Sequence, residues 1–373
     1  MLREDDPVLR THNHFIEASS IASCLLERGY TVDFIDYRNP GFVPRKRYDL
    51  FVSARTNFER IARRLNPDCV KIVHLDTSHW LSNNHAALVR LRDVCNRRGV
   101  ALSSYRPIEY NRGIEEADCA TLLGNEVTHE TYAFAGKTVF QIPNPGSTEY
   151  AWDDNKDFDA CRNRFLWLGS AGFVHKGLDL ALEAFARMPG LHLTVCGPIE
   201  RDRHFEDAFR KELYETPNIH THGWVDVTGA EFAALASRTI GHIYPTCAEG
   251  AAGAVVNCMH FGLVPITTPQ AGVDVDPSFG LVLPELSVKA VQDAVRTIAG
   301  LPTDRLAAMA RMSQSEARRV YSREHYEEVF GAVIDRILAV GPGNLVPGFV
   351  PMEALSASAT HLGGSDLPSP DHA

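Results

Sequence analysis

Short apolar runs alternate with helix-spaced patterns along most of the chain. Residues 31–37 (TVDFIDY), 49–54 (DLFVSA), 71–76 (KIVHLD) and 120–124 (ATLLG) read as buried strands. Residues 15–29 (FIEASSIASCLLERG) read as a helix, with Gly29 placed to cap its C-terminus. Strand–helix alternation predicts a mostly parallel sheet. No clear strand precedes that first helix, although such domains usually open on one; the strand is either absent from this chain or not recognisable.

The pattern then restarts. Residues 164–172 (RFLWLGSAG) read as a strand running into a Gly-rich loop, 177–188 as an amphipathic helix and 191–198 as strand and turn. Residues 218–225, 239–246, 263–268 and 281–284 continue the strand series. The Pro-, Gly-, Asn- and Asp-rich stretch 142–159 (IPNPGSTEYAWDDNKDFD) separates the two series and reads as a linker. The expectation is α/β, with two Rossmann-like doubly wound domains, 1–148 and 149–321. A helix at 322–340 should dock on the first domain. Residues 341–373, rich in Gly, Pro and Ser, read as a disordered tail.

Composition narrows the function. The chain of 373 residues has room for two cores, and no apolar run is long enough for a membrane-spanning helix. Residues 1–148 carry 19 basic against 18 acidic side chains, and the remainder 18 against 29. A net charge of −10 argues against general nucleic-acid binding. The eight cysteines form no C-x-x-C pair, and several lie in apolar stretches, as buried thiols do in a reducing cytoplasm. A cytoplasmic location follows, with any membrane contact peripheral, at the inner face.

Two stretches carry candidate chemistry. In YPTCAEGAAGAVVNC (244–258), Glu249 precedes a run of very small residues and then a helix start. A helix N-terminus offers unpaired N–H groups and the positive end of a dipole, and small residues let an anion approach the backbone. The carboxylate beside it would accept hydrogen bonds from sugar hydroxyls; capping of the helix is the alternative. In WLGSAGFVHKG (167–177), a Gly-rich turn leaves a strand, and Lys176 opens the next helix, a place for a cation facing a diphosphate leaving group. A P-loop is excluded by spacing. His220 and His222 would share a strand face but lack further ligands at zinc spacing.

The blocks LWLGSAGFVHKGLDLALEAF, LTVCGP, NIHTHGWV and YPTCAEGAAGAVVNCMHFGLVPITTPQAGV together resemble the family 4 retaining glycosyltransferases of the GT-B fold. The resemblance implies two Rossmann-like domains facing across a cleft, with a nucleotide-diphosphate sugar as co-substrate on the second. A glycan or small-molecule acceptor would bind on the first, with no metal or other cofactor. It implies that Glu249 contacts the transferred sugar and Lys176 the diphosphate. Gly169, Ser170, Gly172, Gly250, Ala251 and Gly253 would surround the donor, and Gly223, Trp224 and Val225 would lie near its base. The family's usual account has the departing phosphate oxygen take the acceptor proton, so no protein general base is expected.

Two positions depart from the family pattern. Asn257 stands where a second glutamate usually holds the ribose, and Ser170 where an arginine is frequent. A neutral ribose contact gives up roughly 1 kcal/mol relative to a charge-assisted one. His175, Arg201 or Arg203 could replace the lost cation. On the acceptor side, loop residues His12, Asn13, His14 and Glu17, together with Asp76 and His79 after the third strand run, are expected to face the cleft. Two rival readings remain: a GT-B protein that binds a sugar nucleotide or glycan without turnover, favoured by Ser170 and Asn257, and a GT-B epimerase, for which no acid/base carboxylates can be assigned.

Overall fold

The computed structural model of the chain describes residues 13–102 and 106–355. Two parallel sheets face one another. The first contains β1 (Leu50–Ala54), β2 (Val70–Leu75), β3 (Cys119–Leu123) and β4 (Thr138–Ile142). The second contains β5 (Arg164–Leu168), β6 (His192–Cys196), β7 (Ile219–Gly223), β8 (Gly241–Tyr244), β9 (Val264–Thr267) and β10 (Leu281–Val282). A late strand, β11 (Gly348–Val350), returns to the first sheet, whose order is β1-β2-β3-β4-β11.

The second sheet has the order β10-β9-β8-β5-β6-β7. Its strand order reverses between β5 and β8, which is where an open α/β sheet leaves a crevice beyond the carboxyl ends of its strands. The local sequence explains the sheet's depth. β5 (RFLWL) is buried from Phe165 onward, and every residue of the helix Leu178–Phe185 is buried, with Phe185 edge-on to Phe165. That helix starts from Gly177, at φ +71, and a Cβ there would collide with the main chain of Pro245. Glycine is therefore required to hold the end of the lysine loop against the loop after β8.

The first sheet differs from expectation. Residues 31–37 form no strand, and Phe34 and Tyr37 are largely exposed. Without a strand on that side, β1 is half-buried throughout, and among the described residues the sheet runs in simple sequence with no reversal. The expected disordered tail also needs correction. Residues 348–350 pair in parallel with Thr138, Val139 and Phe140, and Met352 and Leu355 are buried. Strand pairing and two apolar anchors order this segment despite its Gly and Pro content; residues 356–373 lie outside the described residues.

Two helices bind the domains together. The helix Arg323–Val340, capped by Ser322 Oγ accepting from the His325 amide, buries Tyr326, Phe330, Val333, Ile334 and Ile337. It returns to the first domain: Arg28 makes a two-pronged 2.8 Å contact with Asp335, and Ser20 Oγ donates to Glu327 at 2.7 Å. The helix Trp80–Arg98, from the first domain, lies on the second. Its Val94 joins the core around Phe165 and Trp167, and its Arg90 and Arg97 both reach Asp179.

Candidate active site

The loops after β5 and β8 meet at the strand-order reversal and bring Lys176 and Glu249 together. Lys176 Nζ lies 3.0 Å from Glu249 Oε1 and donates to the Tyr244 hydroxyl at 2.7 Å. Tyr244 in turn donates to Glu249 Oε1 at 3.0 Å, and Thr246 Oγ1 does so at 3.3 Å. All three contacts fall on one carboxylate oxygen. Oε2 makes no hydrogen bond among the described residues, and the Glu249 side chain retains 14% exposure.

Electrostatics fix the protonation of this cluster. Burial would raise the Glu249 pKa, but the charge and hydrogen bond of Lys176, with a smaller contribution from the charge of Arg106, lower it from 4.5 to about 2. Burial and the neighbouring Glu249 push Tyr244 far above the ordinary phenol value, so it stays a donor. His175 donates from Nε2 to the Ala248 carbonyl, and burial lowers its pKa, keeping it neutral. Its Nδ1 is buried with no partner in the described structure.

The small-residue run lies against the first domain. A Cβ on Gly250 would stand 2.5 Å from the Asp76 carbonyl oxygen and 2.8 Å from that of Leu123, at the carboxyl ends of β2 and β3. Gly250 is thus needed for close approach of the two domains. The helix Gly253–His260 begins immediately after. Ala252 N–H donates to Ala271, whereas the amides of Gly250, Ala251, Gly253 and Ala254 have no hydrogen-bond partner among the described residues. Four donors therefore surround a helix start beside Glu249.

Other predicted donor-side residues line the ends of neighbouring strands. Gly169 packs on the Trp167 ring, and Ser170 is exposed. Gly172 adopts φ +88 in the lysine loop. Gly223 ends β7 at φ +90, followed by Trp224, 67% exposed, and buried Val225. Asn257 is elsewhere: its Oδ1 accepts from the Ser147 amide at 2.8 Å, and its Nδ2 donates to Ser147 Oγ at 3.3 Å. The expected ribose contact is corrected accordingly, because the linker occupies both ends of this buried carboxamide.

On the first domain, Asp76 is at the end of β2, bonded to Arg55 and abutting Gly250. His79, expected in the cleft, is instead 8% exposed and packed edge-on against Tyr132 and Phe134. Aromatic neighbours outcompete solvent for an imidazole that caps a helix without using its side chain. Asn13 starts the first helix, and His12 lies outside the described residues. Glu17 is buried between His14 (3.2 Å) and His74 (3.5 Å). Burial would raise its pKa, but these hydrogen bonds bring it down to about 2.

Tyr244, Thr246 and Arg106 were not assigned from sequence. Tyr244 stood five positions before Glu249 within the strand run 239–246, which is the one signal available for it. A separate cavity of about 590 Å³ opens between the helix Trp80–Arg98 and the second sheet, lined by Arg90, Cys247 and Glu285 among others. Neither Lys176 nor Glu249 lines it. Among the described residues, no group of three or more His, Cys, Asp and Glu side chains could hold a metal ion.

Residues 162–300 match the family model of glycosyl transferases group 1. This segment is similar to a glycosyl transferases group 1 domain. It spans the second sheet through β10 and contains both Lys176 and Glu249. No curated protein matches the sequence. Among solved structures, Anabaena Alr3699/HepE is 13% identical with a TM-score of 0.54, covering 78% of this chain and 78% of its own. A glycosyltransferase from Rickettsia africae is 11% identical with a TM-score of 0.53, covering 91% of this chain and 84% of its own. S. aureus TarM, 11% identical at a TM-score of 0.49, is covered over 50% of its length and 71% of this chain. The likeness to HepE and the Rickettsia protein establishes the architecture as GT-B, with the matched segment in its second half.

Proposed function

We propose that the chain transfers a sugar from a nucleotide-diphosphate sugar to a glycan or small-molecule acceptor, with retention at the anomeric carbon and without a metal. The observation that carries this reading is the geometry of Glu249. One carboxylate oxygen is saturated by Lys176, Tyr244 and Thr246, and the other is left for a sugar hydroxyl. The unpartnered amides at the start of the helix Gly253–His260 suit the diphosphate, and Lys176 stands where charge grows on the leaving group. Exposed Trp224 offers a face for the base. The HepE structures with UDP-glucose, and with UDP and glucose, support a donor of this class. Asp76 and Arg55, against Gly250, form the acceptor side.

One observation favours the second reading, binding without turnover: Asn257 faces the linker, so the ribose lacks the partner that its sequence position led one to expect. A single panel separates the two. Thermal shift is measured with UDP-, GDP-, ADP- and TDP-sugars on the wild type, Glu249→Ala and Lys176→Ala, alongside release of free sugar or transfer to added glycans. A donor-specific rise in Tm that both substitutions erase, with turnover in the wild type, is the expected result. A rise without turnover moves the assignment to a sugar-nucleotide-binding protein, and no rise with any donor rejects the transferase and leaves glycan binding as the second reading.

A further inference from the structure

The charge at the donor site does not balance. A nucleotide-diphosphate sugar brings two negative charges, whereas Lys176 is neutralised by Glu249 at 3.0 Å. His175 is kept neutral by burial, and the exposed turn Ser170–Ala171 of the lysine loop carries no cation. Partial charges at a helix start supply only about half a unit.

The missing cation is present, but it comes from the other domain. Arg106 follows the helix Trp80–Arg98 in the chain and crosses to the lysine loop, where a Cβ on Gly172 would meet the Arg106 Cβ at 3.5 Å, ordinary van der Waals contact. Gly172 at φ +88 turns the loop beneath it. Arg106 is exposed, and it makes no ion pair or hydrogen bond among the described residues. Other arginines of the first domain that touch the second are already paired: Arg90 and Arg97 with Asp179, and Arg98 with Glu212. The charge of Arg106 is nonetheless felt at Glu249, Tyr244 and His175, so it lies near the same cluster.

We infer that Arg106 is a diphosphate-binding residue, a cation supplied across the domain boundary to the nucleotide-diphosphate donor held by the second domain. The inference rests on the donor-binding reading above and assigns the charge that reading lacks. A guanidinium presents a planar fork of N–H donors that matches two phosphate oxygens side by side, whereas an ammonium binds as a point charge. Because Arg106 belongs to the first domain, diphosphate binding would also hold the two domains together.

The test uses the full chain and the nucleoside diphosphate selected by the donor panel, with the parent nucleoside as the reference ligand. Affinities are measured by calorimetry for wild type, Arg106→Ala and Arg106→Lys. The expected result is a loss of tenfold or more in diphosphate affinity for Arg106→Ala, partial recovery in Arg106→Lys, and unchanged nucleoside affinity in all three. Equal diphosphate affinity in wild type and Arg106→Ala overturns the assignment while leaving the donor site intact. Parallel loss of nucleoside and diphosphate affinity also overturns it, since that marks a structural role. A folded wild type that binds no nucleoside diphosphate rejects the donor-binding reading itself, and this inference with it.

Discussion

Lys176 and Glu249, distant in sequence and carried by different strand-end loops, form a 3.0 Å ion pair that Tyr244 closes into a triangle. The pair joins the two halves of the crevice at the strand-order reversal. Both partners are largely buried, with side-chain exposures of 7% and 14%. Attraction offsets desolvation here only while both are present.

Lys176→Met should therefore abolish transfer and also destabilise the fold, by about 3–5 kcal/mol, the usual cost of stranding one buried charge. The pH dependence distinguishes this from a simple packing defect. Glu249 has its pKa lowered from 4.5 to about 2, so its contribution is full above pH 4.5 and is lost as pH falls through about 2. The Tm gap between wild type and Lys176→Met should be widest above pH 4.5 and narrow toward pH 2. Melting curves across that range check it; a gap constant with pH would show that the charge is not what stabilises the site.

Gly250→Ala tests the closeness of the domains. The added methyl would sit 2.5 Å from the Asp76 oxygen and 2.7 Å from its carbonyl carbon, both main-chain atoms that cannot rotate aside. Overpacking of this kind costs about 1–3 kcal/mol. The expected variant keeps its far-ultraviolet circular dichroism, melts earlier and shows a larger radius of gyration by small-angle scattering, with reduced turnover. An unchanged radius and full activity would mean that the domains touch less closely in solution.

Asn257→Ala should behave as a linker mutation. Removing the carboxamide leaves the buried Ser147 amide without its acceptor, at a cost of about 1–3 kcal/mol. Donor affinity, measured by calorimetry below the melting range, should match the wild type. If affinity drops while stability holds, the amide serves the ribose after all.

How much of this was legible beforehand depends on what each residue interacts with. Every strand expected for the second domain forms at its place: β8 and β9 are short apolar runs buried throughout, and the less buried β7 and β10 pair at the two edges of the sheet. In the first domain the same pattern at 31–37 produced no strand: a β-prone run needs a neighbour to pair with, and local sequence does not show whether one exists. The tail failed in the opposite sense, since Gly348–Val350 is ordered by pairing with β4, some 200 residues earlier. Lys176 and Glu249 could be named from their loops, but not the contact between them. Asn257 and His79 were misplaced because neither the linker amide nor the aromatic cluster is adjacent in sequence. Arg106 sits in a loop with no motif, and only tertiary structure brings it to Gly172.

Asp179 offers the sharpest test of what holds the two domains in register. It is fully buried, accepts from Arg90 at 2.9 and 2.8 Å and from Arg97 at 2.6 Å, and both arginines come from the helix Trp80–Arg98 of the first domain. Arg90 is itself 2% exposed, with Nε and Nη1 lacking hydrogen-bond partners. Asp179→Leu would leave the buried Arg90 guanidinium with only the half-exposed Asp93, 3.5 Å from Nη1, as counter-charge, and should cost about 3–5 kcal/mol. Added salt should restore little, since ions screen buried charges poorly. Adding Arg90→Met removes the stranded charge, so the double variant should regain most of the lost stability despite carrying two substitutions. Urea denaturation of the two single variants and the double variant gives the coupling directly. A double variant as unstable as the sum of the singles would show that the ion pair contributes no more than its separate side chains.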